Sequence, residues 1–138
     1  MVSDRNLSTD MWTAIRASIV AVAPTITDGT STKTASIVAS YNDNNPSKPQ
    51  IVIYPVKPSE SKDKFSTDFG RYDISVSIDC RYSSSLGIDQ LRDQVSYALS
   101  TTYIPDVELQ TIESDPGFAE EGEQKYHINA MSIVYSKE

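Results

Sequence analysis

The sequence predicts an α+β domain, with an antiparallel or mixed sheet of about five strands and two helices on one face, in the order α-β-β-β-α-β-β. Three observations lead there. Apolar and polar residues alternate without a break from Arg71 to Tyr82, apolar residues recur at helical spacing in two other segments, and turn-forming residues separate these runs. A chain of 138 residues suits one core, so 1–138 reads as a single domain.

The first helix is expected over about Thr9 to Val22. Ser8 or Thr9 is available to cap it, and Asp10 sits favourably in its first turn. Trp12, Ile15, Ile19 and Val22 form its apolar stripe, Arg16 points elsewhere, and Pro24 closes the segment. Two β-prone runs follow, Ala35 to Tyr41 and Gln50 to Val56. Between them Asn42-Asp43-Asn44-Asn45-Pro46-Ser47-Lys48-Pro49 reads as a hairpin loop. Lys57 to Gly70 is a long polar stretch without periodicity, and compact domains rarely keep such a loop without a use for it.

Tyr72, Ile74, Val76, Ile78, Cys80 and Tyr82 then alternate with Arg71, Asp73, Ser75, Ser77, Asp79 and Arg81, which is a strand with one buried face. A second helix over roughly Ile88 to Leu99 puts Ile88, Leu91, Val95, Ala98 and Leu99 on one side. Two last strands, about Val107 to Ile112 and Lys125 to Ser136, are joined by a loop holding Asp115-Pro116-Gly117 and Glu120, Glu121 and Glu123. A local connection of that kind favours antiparallel pairing.

Composition narrows the function. A formal charge of -7 argues against sequence-independent binding to phosphate backbones, which Lys and Arg drive by releasing counterions. The single Cys80 has no disulfide partner and no second soft ligand. Ala17 to Ala23 ends in Ala-Val-Ala like a signal-peptidase site, but Asp4, Asp10 and Arg16 break the basic-then-apolar order. The run is also far short of the roughly 20 residues needed to span a bilayer. A buried helix face is the simpler reading, and a soluble, cytoplasmic product is expected.

No catalytic grouping stands out. His127 falls in the last strand beside Ile128, as a partly exposed sheet residue rather than a base beside a nucleophile. Asp73 and Asp79 share a strand face, but six residues apart they are about 20 Å distant and cannot form an acid-base dyad. Asn42 to Asn45 faintly resembles a calcium loop without its glycine and its bidentate glutamate. Gly29, Gly70, Gly87, Gly117 and Gly122 are scattered and form no phosphate cradle. The chain is therefore expected not to be an enzyme and to need no metal or cofactor. Tyr72, Tyr82 and Tyr97 read mainly as core residues. Phe65 and Phe69 lie in the polar stretch, either as interface anchors or folded back locally.

Three segments carry a resemblance: Gln50-Ile-Val-Ile-Tyr-Pro-Val56, then Arg71 to Arg81 running into Ile88 to Val95, then the closing strand Tyr126 to Tyr135. In element order, length and the long polar loop, nearly the whole chain resembles the tail-terminator and head-to-tail joining proteins of long-tailed phages. No signature motif is involved, and neighbouring minor capsid and neck families share the pattern. The resemblance implies a structural virion protein of the tail or neck, assembled in the host cytoplasm. It would form a homo-oligomeric, hexameric ring that caps the tail tube and meets a head-completion or connector protein, while DNA passes through without specific binding.

Charge along the chain fits such a ring. Lys57, Lys62, Lys64, Phe65 and Phe69 are candidates for an interface with a neighbour. From Ile104 onward eight carboxylates face two lysines, and Glu120, Glu121 and Glu123 are candidates for lining the lumen, together with the polar face of the alternating strand. A solvated acidic surface that keeps the protein soluble explains the same residues. Two further readings remain open: a small ligand- or peptide-binding domain using the helix-free sheet face, and an enzyme subunit completed by a partner chain.

Overall fold

A computed structural model describes residues 7–38, 48–60, 72–105, 107–121 and 124–137. Its elements are α1 (Leu7–Val22), β1 (Thr25–Asp28), β2 (Ser31–Thr34), β3 (Ser36–Val38), β4 (Gln50–Ile53), β5 (Lys57–Glu60), β6 (Tyr72–Tyr82), α2 (Ser85–Thr101), β7 (Glu108–Glu121) and β8 (Gln124–Lys137). The class is α+β, with a mixed sheet ordered β3-β4-β6-β8-β7, β5 added beside β6, and a separate β1-β2 hairpin.

Helix α1 begins at Leu7, so Ser8 and Thr9 lie inside it instead of capping it. Its buried stripe is Met11, Ile15, Ser18 and Ile19, one position off the predicted start. Trp12 is half-buried, and its indole N–H donates to the Ile53 carbonyl at 3.0 Å, which ties the helix to β4. The helix stops at Ala23, whose φ of 52° is left-handed, and Pro24 cannot continue it.

The β1-β2 hairpin was not predicted. Its signal is Asp28-Gly29, with Gly29 at φ 63° in the turn, but its threonine-rich strands lack apolar alternation. It docks on α2 through two glutamines that imitate a neighbouring strand. Gln94 accepts from Thr25 N–H at 2.9 Å and donates to Thr25 O, and Gln90 accepts from Thr27 N–H at 2.8 Å and donates to Thr27 O.

Two connections differ from the sequence reading. β3 and β4 pair parallel and so are not the two arms of the expected hairpin; residues 39–47 lie outside the described residues. The stretch from Lys57, expected to be irregular, begins with strand β5, antiparallel to β6. Ile53 faces Ile78 and Lys57 faces Ser75, so Tyr54 to Val56 oppose only Val76 and Ser77. β4 and β5 are therefore one strand interrupted by a bulge at Pro55.

The alternation in β6 is realised: Ile74, Val76, Ile78, Cys80 and Tyr82 are buried, with Ile51, Ile53, Met131, Ile133 and Tyr135 beside them. Met11, Ile15, Ile19, Leu91, Val95 and Leu99 from the helices cover that face. Ser84 caps α2 by accepting from Gly87 N–H, and Gly87 is needed because a Cβ there would lie 2.6 Å from the Tyr82 ring. Tyr97, expected in the core, is 63% exposed on the outer side of α2.

The last two strands are longer than predicted. Asp115-Pro116-Gly117, read as loop, lie inside β7, which Pro116 can join because β7 is at the sheet margin. β8 pairs with β6 only from His127 onward, so the end of the β7-β8 hairpin runs past the last residue of β6.

Candidate functional site: the bare sheet face and its margins

Strand register gathers the polar residues. In an antiparallel pair, residues directly opposite share a face. Asp73, Ser75, Ser77, Asp79 and Arg81 of β6 therefore line up with Ser136, Val134, Ser132, Ala130 and Ile128 of β8. These in turn face Glu108, Thr111, Glu113, Asp115 and Gly117 of β7. Five carboxylates, Asp73, Asp79, Glu108, Glu113 and Asp115, thus share the face opposite the helices. The small residues between them, Ser75, Ser77, Ser132 and Ala130, are exposed. Arg81 shares this face but is only 5% exposed, opposite the buried Gln50.

The bulge opens a shallow groove of about 430 Å³ on this face, lined by Tyr54, Pro55, Ser75, Ser77 and Asp79. Tyr54 OH donates to Asp79 Oδ2 at 2.9 Å, which fixes the carboxylate beside the ring. Neither the groove nor this pair was anticipated, although Pro55 inside a β-prone run was a usable sign of a bulge.

The opposite face holds titratable groups away from water. Burial pushes the Cys80 thiol up to about 12, with Asp79 adding to the shift and Arg92 opposing it. Burial likewise raises the Tyr135 phenol to about 12, and its hydroxyl has no hydrogen-bond partner among the described residues. Asn129 sits opposite Cys80, fully buried, with both side-chain polar atoms unpartnered among the described residues. His127 is half-buried and meets Phe118 edge-on, with ring centroids 5.1 Å apart.

The predicted site residues are only partly placed. Lys57 opens β5 opposite Ser75, while Lys62, Lys64, Phe65 and Phe69 lie outside the described residues. Glu120 and Glu121 end β7 opposite Lys125 and Gln124, on a strand and not in the expected loop; Glu123 lies outside the described residues. Asp73 and Asp79 are six residues apart on β6, and Asp79 is engaged by Tyr54. Among the described residues no three His, Cys, Asp or Glu side chains gather as metal ligands. No helix among them is long and apolar enough to cross a membrane.

Comparison adds no family. No protein-family model matches the chain, and no curated protein matches it.

Proposed function

We propose that this chain is a non-enzymatic, ring-forming structural subunit of a long-tailed phage virion, of the tail-terminator or head-to-tail joining type. The observation that carries the reading is the asymmetry of the sheet. Both helices cover one face, and the other face is carboxylate-bearing, with β3, β5 and β7 at its margins among the described residues. Such a sheet can be continued by neighbours without burying a charge, and a ring of copies then presents like charge to the DNA that passes through.

In this reading Glu120, Glu121 and Glu123 contribute to the lumen, and Lys57, Lys62, Lys64, Phe65 and Phe69 to contacts with a neighbour. The tail tube protein and a head-completion or connector protein are the partners on either side. Native mass spectrometry of the purified chain tests the reading. A dominant closed oligomer, hexameric by the resemblance, is the expected result; a monomer at all accessible concentrations contradicts it.

The groove favours one second reading, a small ligand- or peptide-binding domain. A tyrosine ring, two serine hydroxyls and an oriented carboxylate suit a cationic or hydroxyl-bearing ligand. Ligand-induced NMR shifts confined to Tyr54, Ser75, Ser77 and Asp79, in a chain that stays monomeric, would favour it.

A further inference from the structure

Strand β7 has two unlike faces. Thr111, Glu113, Asp115 and Gly117 lie opposite Val134, Ser132, Ala130 and Ile128 on the helix-free side, and Ile112, Ser114, Pro116 and Phe118 lie opposite Ile133, Met131, Asn129 and His127 on the helix side. On the helix side burial ends one strand short of the margin. Met131 and Asn129 are buried, yet Ser114 and Pro116 across from them are exposed, and Phe118 beyond them is 54% exposed.

The backbone of this margin is open as well. Gly117 has no side chain, so its exposure is that of the backbone itself, and β7 pairs only with β8 among the described residues. A strand with one neighbour turns alternate N–H and C=O groups outward, where an added strand can take them. The register shift between Leu109 and Thr111 and the missing N–H of Pro116 leave Thr111 to Asp115 as the regular stretch of that edge.

Glu113 and Asp115 stand two residues apart with no cation against them. Neither makes an ion pair among the described residues, β7 holds no lysine or arginine, and Ser132 and Ala130 face them on β8. On α2, by contrast, Arg92 is shared by Asp89 at 3.5 Å and Asp93 at 3.0 Å. A second copy's β7 is a poor occupant of this edge, because it sets carboxylate against carboxylate across the strand pair.

We propose that Thr111 to Asp115 of β7 takes an extended segment of a partner protein in which lysine or arginine alternates with bulky apolar residues. The cations lie against Glu113 and Asp115 on the helix-free side. The apolar residues extend the core beyond the half-buried Ile112, over Ser114 toward Pro116 and Phe118. Backbone pairing supplies affinity, and the two-faced pattern supplies selectivity. This goes beyond the ring-forming reading and holds whether or not copies close into a ring.

NMR titration of the isotope-labelled full chain with a capped peptide of alternating valine and lysine tests it. Amide shifts gathered on Thr111 to Phe118 are expected, and a peptide of alternating valine and glutamate is expected to cause none. Glu113→Gln combined with Asp115→Asn, checked for native circular dichroism, is expected to weaken binding about tenfold. Asp89→Asn combined with Asp93→Asn makes an equal change of charge on α2 and is expected to keep binding within about twofold of the parent. A backbone N-methylated form of the valine and lysine peptide keeps its charge but loses its donors, and is expected to bind at least about tenfold more weakly. Shifts gathered around Asp73 and Asp79 instead, equal binding by the N-methylated peptide, or no shift at about 10 mM peptide overturns the docking. Self-association that protects the Glu113 to Phe118 amides before any peptide is added gives the edge to a second copy and overturns the assignment to a partner.

Discussion

Strand β8 runs through two different environments, and the contrast between its halves explains most of the molecule. From Met131 to Tyr135 alternate side chains are buried under the helices and locked between β6 and β7. Toward its start, β8 pairs with β7 but not with β6 from Gln124 to Tyr126, and the β7 residues across from His127 to Ser132, Glu113 to Phe118, are exposed. The first half is specified by hydrophobic burial, which fixes its register, since a slip of one residue would send Ile133 to the bare face. Only Gln124 to Tyr126 is held by the β7 ladder alone, and a two-stranded ribbon is marginal in water by itself. Residues in the first half set stability, and the exposed β7 residues Glu113 to Phe118 are free to serve contacts.

The largest effect expected is in the packed half. Ile78→Asp places a carboxylate among Ile53, Met131 and the helices, a loss of several kcal/mol against a total of about 5 to 15, and the chain is expected to unfold. Circular dichroism and urea titration read this directly. A folded, soluble Ile78→Asp protein would break the distinction between the halves.

A pH titration sharpens it. Cys80 and Tyr135 have folded-state values raised above their ordinary ones, so their protonated forms belong to the native state. Their contribution is intact below the unfolded-state values of about 9 and 10. It falls by up to about 1.4 kcal/mol per group per pH unit as the pH rises toward 12. Urea midpoints measured from pH 8 to 11 are expected to drop, and to drop less in a Cys80→Ala, Tyr135→Phe variant than in the parent. Equal slopes would remove burial as the cause.

Smaller effects follow at the joints. Gly87→Ala forces a methyl against the buried Tyr82 ring, which the better helix propensity of alanine offsets only partly, so a net loss of about 1 kcal/mol is expected by urea titration. Gln94→Ala removes both bonds to Thr25 and is expected to speed amide exchange across β1 by more than it lowers global stability, about 1 kcal/mol. Smallest of all, Phe118→Ala on the exposed margin strand β7 is expected to change stability by less than about 0.5 kcal/mol. A larger loss would show that this part of β7 is packed more firmly than its exposure implies.

The same contrast decided what the sequence could reveal. β6 and both helices were legible because burial on one face imposes a period of two or of 3.6 on the residues. The β1-β2 hairpin was not, since its anchoring comes from Gln90 and Gln94, 63 and 69 residues away from the groups they hold. Asp115 to Gly117 read as loop because proline and glycine usually interrupt strands, and only the position of β7 at a margin lets Pro116 stay in one. The parallel pairing of β3 with β4 was hidden for a related reason: turn-rich composition in 42–49 does not record which way the chain returns. Asp73 and Asp79 were correctly placed on one face from alternation alone. That Glu108, Glu113 and Asp115 join them needed the register across β8, bulge included, and no local pattern encodes it.

The central claim is that the bare, carboxylate-bearing face is the working surface of a ring. Electron microscopy of the purified chain, with averaging good enough to separate helices from sheet, tests it most directly. Closed rings with the helices outside and the Asp73-Asp79 face turned to the channel are predicted. Rings with the helices lining the channel, or a field of monomers at high protein concentration, would contradict it.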